Sequence, residues 1–84
     1  MMRLNAEFTT EPFVGEQDEP PAHALAARHA VEEAGLHCEF GPLGTSVSGT
    51  AKQVLAALSD AMNSAFAHGA TRVTVRVEQV HADE

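Results

Sequence analysis

The 84-residue sequence predicts an α+β domain in which strands and helices follow one another as β-α-β-β-α-β. Three observations carry that prediction. Residues 3–10 and 71–80 alternate apolar and polar side chains with a period of two, as strands with one buried face do. Pro20-Pro21 and the capping box Thr50-Ala51-Lys52-Gln53 mark two helix starts. Turn residues at Gly35, Gly41-Pro42-Leu43-Gly44 and Gly69 separate the remaining segments.

In the first strand, Leu4, Ala6 and Phe8 point one way and Asn5, Glu7 and Thr9 the other. Residues 11–19 form an acidic connection. The first helix runs over about 21–34, with Asp18 or Glu19 near its positive end and Gly35 as its stop. It is rich in alanine, with Leu25 and Val31 as its large apolar residues, so it can approach a sheet closely. Residues 36–41 alternate again, with Leu36, Cys38 and Phe40 on one face, and a short strand at about 45–49 around Val47 completes a hairpin. The second helix, about 51–68, repeats Val54, Leu55, Leu58, Ala61, Met62, Ala65 and Phe66 at helical spacing and ends at Gly69. The last strand turns Val73, Val75 and Val77 inward, and the tail from His81 to Glu84 is expected to fray.

A chain of this length is one domain, residues 1–84, with a thin core. Cys38 is its only cysteine, so no disulfide framework exists, and a reducing, cytoplasmic setting is expected. The N-terminal residues show no signal-peptide pattern, and no apolar run is long enough to span a membrane. Twelve acids against five scattered bases give a net charge of −7. Nucleic acid and anionic membrane both require a basic footprint, so neither is an expected partner. The acidic field favours cationic ligands, and it also simply keeps a protein soluble.

Right-handed crossovers leave few ways to arrange these elements. The favoured one is the ferredoxin-like antiparallel sheet of strand order 4-1-3-2, with both helices on one face. The opposite face then carries Asn5, Glu7 and Thr9 beside Thr74, Arg76 and Glu78, with a Glu7–Arg76 pair between neighbouring strands. A bare face on a small core predicts a homo-oligomer. The same topology gathers residues 9–13, the turn at 41–45, Thr71-Arg72 and His23 at one end of the sheet. Hairpin ends need Gly and Pro for turn geometry in any case.

Catalytic and metal readings find little in the residues. Ser46 and Ser48 lack a His–Asp arrangement, and no nucleophile-elbow motif occurs. His37, Cys38 and Glu39 are strand neighbours pointing to alternate faces, so they cannot chelate together. The five histidines include no i, i+4 pair, and no glycine-rich phosphate loop joins a strand to a helix. No catalytic residue, metal or cofactor is therefore expected.

The stretches Ala6-Glu7-Phe8-Thr9-Thr10-Glu11-Pro12-Phe13, Gly35-Leu36, Gly41-Pro42-Leu43-Gly44-Thr45 with Gly49, and Gly69-Ala70-Thr71-Arg72-Val73 resemble a known family. It is the small thiamine-binding protein family, the YkoF-like hydroxymethylpyrimidine/thiamine-binding domains, and the resemblance spans nearly the whole chain. It implies the same ferredoxin-like fold, assembly into dimers and tetramers, and non-catalytic binding of thiamine or its hydroxymethylpyrimidine half in salvage, transport or sensing. The ligand-binding residues it implies here are Thr10, Glu11, Phe13, His23, Pro42, Gly44, Thr45 and Ser46. Glu11 would accept from the exocyclic amine and favour the thiazolium charge. Thr10, Thr45 and Ser46 would donate or accept, and Phe13 and Pro42 would flank the rings.

The sequence departs from the family pattern at Ser48 and Thr50, where acids are common. It departs again at His23, where an aromatic residue is common and a titrating side chain would make binding pH-sensitive. Two other readings compete. One is a structural or regulatory homo-oligomer with no small ligand, and the other is an enzyme subunit with a small-anion site at Arg72.

Overall fold

The computed structural model of the chain describes residues 2–12, 20–41 (Phe40 by its backbone only) and 44–80. The element order is β1 (Arg3–Glu11), α1 (Ala22–Glu33), β2 (Cys38–Gly41), β3 (Gly44–Thr50), α2 (Ala51–Ala67) and β4 (Arg72–Val80). The four strands form one antiparallel sheet of order β2-β3-β1-β4, which is the predicted 4-1-3-2 read from the other edge. The two helices pack against each other and on the same side of the sheet, α1 over β1 and β2, α2 over β1, β3 and β4. This is the ferredoxin-like arrangement.

Local chemistry accounts for the boundaries. Thr50 accepts from the Gln53 backbone N–H while the Gln53 side chain accepts from the Thr50 N–H, so the capping box forms in full. Gly35, at φ +85, supplies the left-handed residue that ends α1 after its C-cap Ala34. α1 starts where the two prolines place it. Its N-cap is Pro21 with no side-chain cap and no acid in the first turn, and Asp18 and Glu19 lie outside the described residues. The fixed φ of proline opens this helix, as expected.

The core is small and rich in alanine. Leu4, Ala6 and Phe8 of β1, Val47 of β3, Val31 of α1, and Val54, Leu58, Ala61 and Ala65 of α2 are buried together with Leu36 and Cys38. Two expectations about burial fail. Leu55 and Phe66 are 54% and 52% exposed, because the buried stripe of α2 is narrower than its apolar stripe. Val77 faces the helix layer, opposite Ala6, yet is 39% exposed because β4 lies at the margin of what α2 covers.

Cys38 is buried, with its Sγ 3.8 Å from a Glu32 carboxylate oxygen. Burial first, and the neighbouring carboxylate second, push its thiol above the ordinary value, against a smaller pull from Arg28. The thiolate is the reactive form. Alkylation by iodoacetamide at mildly alkaline pH is therefore expected to be much slower in the native protein than in urea. Equal rates would contradict a buried, protonated thiol.

Candidate functional site

The end of the sheet predicted from topology does assemble. Glu11 of β1 stands opposite Arg72 of β4, Phe8 stands opposite Thr45 of β3, and the Thr71 N–H donates to the Glu11 carbonyl at 2.7 Å. The pleat then divides the predicted residues between the two faces of the sheet.

Thr10, Thr45 and His23 lie on the helix side and are buried. The Thr10 Oγ1 is 2.6 Å from His23 Nδ1, and His23 Nε2 is 3.0 Å from the Pro12 carbonyl oxygen. A carbonyl can only accept, so Nε2 carries the proton that is donated to Pro12. In the neutral ring Nδ1 is then the acceptor, and the Thr10 hydroxyl donates to it. This pair ties the end of β1 to the first turn of α1 across the segment that precedes the helix. His23→Ala leaves a buried hydroxyl without its acceptor, which is expected to cost about 1–3 kcal/mol. Thr10→Val should destabilise as well, and the double variant by less than the sum of the singles, because the two side chains share one bond. Urea unfolding of the four proteins checks this, and strict additivity would show that the bond contributes nothing.

Glu11, Gly44 and Ser46 belong to the opposite, helix-free face. Glu11 pairs with Arg72 at 3.6 Å, and next along the strands Glu7 pairs with Arg76 at 3.1 Å, as expected within one sheet. Both pairs are exposed, so each adds little to stability. Gly44 sits tight against β1: a Cβ there would lie 2.7 Å from the Phe8 carbonyl oxygen and 2.9 Å from Thr9 Cγ2. That position therefore accepts no side chain without a shift of the strands. Phe13 and Pro42 lie outside the described residues.

The same face holds an open depression of about 360 Å³, near the low end of the size range for ligand sites of about 300–1,000 Å³. Asn5, Glu7, His37, Glu39, Ser46 and Ser48 line it, with Arg76 and Glu78 at the β4 side. Of the predicted site residues only Ser46 reaches it; Glu11 and Gly44 lie at the end of the same face, and Thr10, His23 and Thr45 on the helix side. The signal for the depression was present in the outward rows of the alternating strands, which place carboxylates and hydroxyls side by side. Among the described residues no group of three or more His, Cys, Asp or Glu side chains could hold a metal ion, and no helix is long and apolar enough to cross a membrane.

The sequence profile of the thiamine-binding protein family matches residues 6–81. The chain belongs to that family. Its fold is shared with solved structures at low identity. A hypothetical protein from Methanocaldococcus jannascii gives a TM-score of 0.71 at 19% identity, covering 100% of this chain and 84% of that one. A domain of unknown function from Bacillus cereus gives 0.69 at 18% identity, covering 95% of this chain and 76% of that one. A candidate thiamine biosynthesis/salvage protein from Thermotoga maritima gives 0.67 at 16% identity, covering 95% of this chain and 84% of that one. None of the curated proteins compared with the chain matches it. The helix-free face of this chain presents carboxylates and hydroxyls to solvent, and the buried Thr10–His23 pair lies on the other side of the sheet.

Proposed function

We propose that this chain binds thiamine or its hydroxymethylpyrimidine half, without catalysis, on the helix-free face of the sheet near the Glu11 end. Membership of the thiamine-binding family supplies the ligand class. The observation that carries the reading is the chemistry of that face: Glu7, Glu11, Glu39 and Glu78 outnumber Arg3, Arg72 and Arg76, and the Ser46 and Ser48 hydroxyls lie among them. An aminopyrimidine needs an acceptor for its amine and a donor for a ring nitrogen, and thiamine adds a fixed positive charge. Carboxylates and hydroxyls meet all three needs.

In this reading Glu11 and Ser46 touch the ligand, Gly44 lets it approach the backbone, and Phe13 and Pro42 flank its rings. Thr10, His23 and Thr45 act from beneath by holding the strand ends. A cytoplasmic protein with this site would serve thiamine salvage, transport or sensing, as a dimer or tetramer. Titration calorimetry with thiamine and with hydroxymethylpyrimidine tests the reading, and saturable binding of either supports it. Absence of heat at millimolar ligand refutes it and favours a purely structural oligomer. Turnover of a thiamine phosphate would favour the enzyme reading, as would inorganic phosphate binding that Arg72→Gln abolishes.

A further inference from the structure

Strand register lays the open face out as rows running straight across the sheet. One row is Glu39, Ser46, Glu7 and Arg76, read from β2 through β3 and β1 to β4. The next holds Ser48, Asn5 and Glu78, with His37 lining the depression beside them. Neighbouring strands lie about 5 Å apart, so Ser46 stands between two carboxylates, each one strand away. The guanidinium of that row, Arg76, lies on the far side of Glu7 and is bonded to it at 3.1 Å.

Among the described residues, the rest of the face offers an anion little more. Arg72 is engaged by Glu11 at 3.6 Å. Arg3 stands opposite Thr50 and Val80, four residues along β1 from Glu7, which is about 14 Å at strand spacing. His37 approaches the Glu39 carboxylate at 4.0 Å and is charged only when protonated. β1 and β3 are interior strands, paired along both sides, so their backbone N–H groups are committed to the ladders. Both helices lie on the other side of the sheet, so neither helix N-terminus, a ready anion site, opens onto this face.

We infer that the face selects the free alcohol form of thiamine and rejects its phosphate esters, with Glu39 as the specificity-determining residue. The inference rests on the ligand reading above and adds the phosphorylation state to it. A phosphate monoester carries a charge of about −1.5 to −2 at neutral pH. It turns the single positive charge of thiamine into a net negative one, so a face that attracts the alcohol repels the ester. Glu7 and Glu11 share their charge with Arg76 and Arg72, whereas the ion-pair partner of Glu39 is an imidazole. Glu78 is separated from β3 by β1, and Glu39 borders Ser46 directly. Glu39 therefore dominates the field felt by a group held at Ser46.

Titration calorimetry at about pH 8, above the ordinary histidine range, compares thiamine, thiamine monophosphate and thiamine pyrophosphate. The wild type is expected to bind thiamine roughly tenfold or more tightly than the monophosphate, and the pyrophosphate more weakly still. Glu39→Lys should weaken thiamine, strengthen the monophosphate and so close most of that gap. The Glu39 side chain is 80% exposed, so the exchange leaves the core intact. Salt gives a second measurement on the unaltered chain: raising the ionic strength should weaken thiamine and strengthen the monophosphate. Comparable wild-type affinity for thiamine and its monophosphate overturns the inference and leaves the ligand reading standing. A preference that Glu39→Lys does not narrow overturns it as well. If none of the three binds, the inference falls, and the titration with hydroxymethylpyrimidine decides whether the ligand reading falls with it.

Discussion

Phe8→Ala is expected to lower the thermal midpoint by about 15–30 °C. Phe8 is 3% exposed and stands in the centre of β1, between Thr45 and Val75 on the neighbouring strands. Among the described residues, six of the fourteen apolar core residues are alanines (Ala6, Ala27, Ala57, Ala61, Ala65 and Ala70), so the helices already lie close to the sheet. They cannot settle much further into a cavity, and Phe→Ala in a rigid core costs about 3–5 kcal/mol. A domain of this size commands roughly 4–13 kcal/mol in all, so the loss approaches its whole stability. At about 4–8 °C per kcal/mol for domains of this length, the midpoint falls as stated. Circular dichroism melts at fixed protein concentration measure it, since self-association would make the midpoint concentration-dependent. Phe66→Ala is the control. That ring is 52% exposed, so its removal should barely change the fold. A midpoint drop of under about 5 °C for Phe8→Ala would mean that the sheet and helices are not held together through this side chain.

The contrast between these two phenylalanines shows what could be read from the sequence. Strand alternation named Phe8 correctly, because a period of two leaves only one inward row once Leu4 and Ala6 are seen to be apolar. Helical periodicity named too many residues on α2. Val54, Leu55, Leu58, Met62 and Phe66 all fit an apolar stripe wider than about 100°, and spacing alone does not reveal how much of such a stripe the sheet below can cover. Strand order followed from crossover handedness, and with it the meeting of Glu11, Thr45 and Arg72 at one end. Which of those residues share a face was also legible: Glu11 and Ser46 have the outward parity, and Thr10 and Thr45 the inward one. The buried bond from Thr10 to His23 was not legible, because it joins a strand to a helix across a connection whose path no local pattern specifies. The depression between Glu7, Glu39 and Ser48 depends on the twist and pleat of four strands together, which no single segment encodes.

Glu11→Gln should weaken thiamine binding by roughly tenfold, and by up to a hundredfold if the carboxylate contacts the ligand directly. The substitution keeps shape but removes the charge and turns one acceptor oxygen into a donor NH2, and a hydrogen bond to a charged group is worth about 1.5–3 kcal/mol. At 1.4 kcal/mol per factor of ten, that gives the stated range. The lower end is favoured because Arg72 lies 3.6 Å from the Glu11 carboxylate and already neutralises part of its field, and because the Glu11 side chain is 45% exposed and screened by water. The same geometry yields a second expectation of opposite sign. Arg72→Gln frees the carboxylate and removes a cation from the approach path, so it should tighten thiamine binding several-fold, most clearly at low salt. Hydroxymethylpyrimidine carries no thiazolium charge and should respond less to either change. Calorimetry on the three proteins with both ligands separates the possibilities. If Glu11→Gln leaves thiamine affinity unchanged while Glu39→Gln or Glu7→Gln lowers it, the ligand sits in the central depression rather than at the Glu11 end. If Arg72→Gln weakens thiamine binding, the ion pair positions Glu11 for the ligand and does not compete with it.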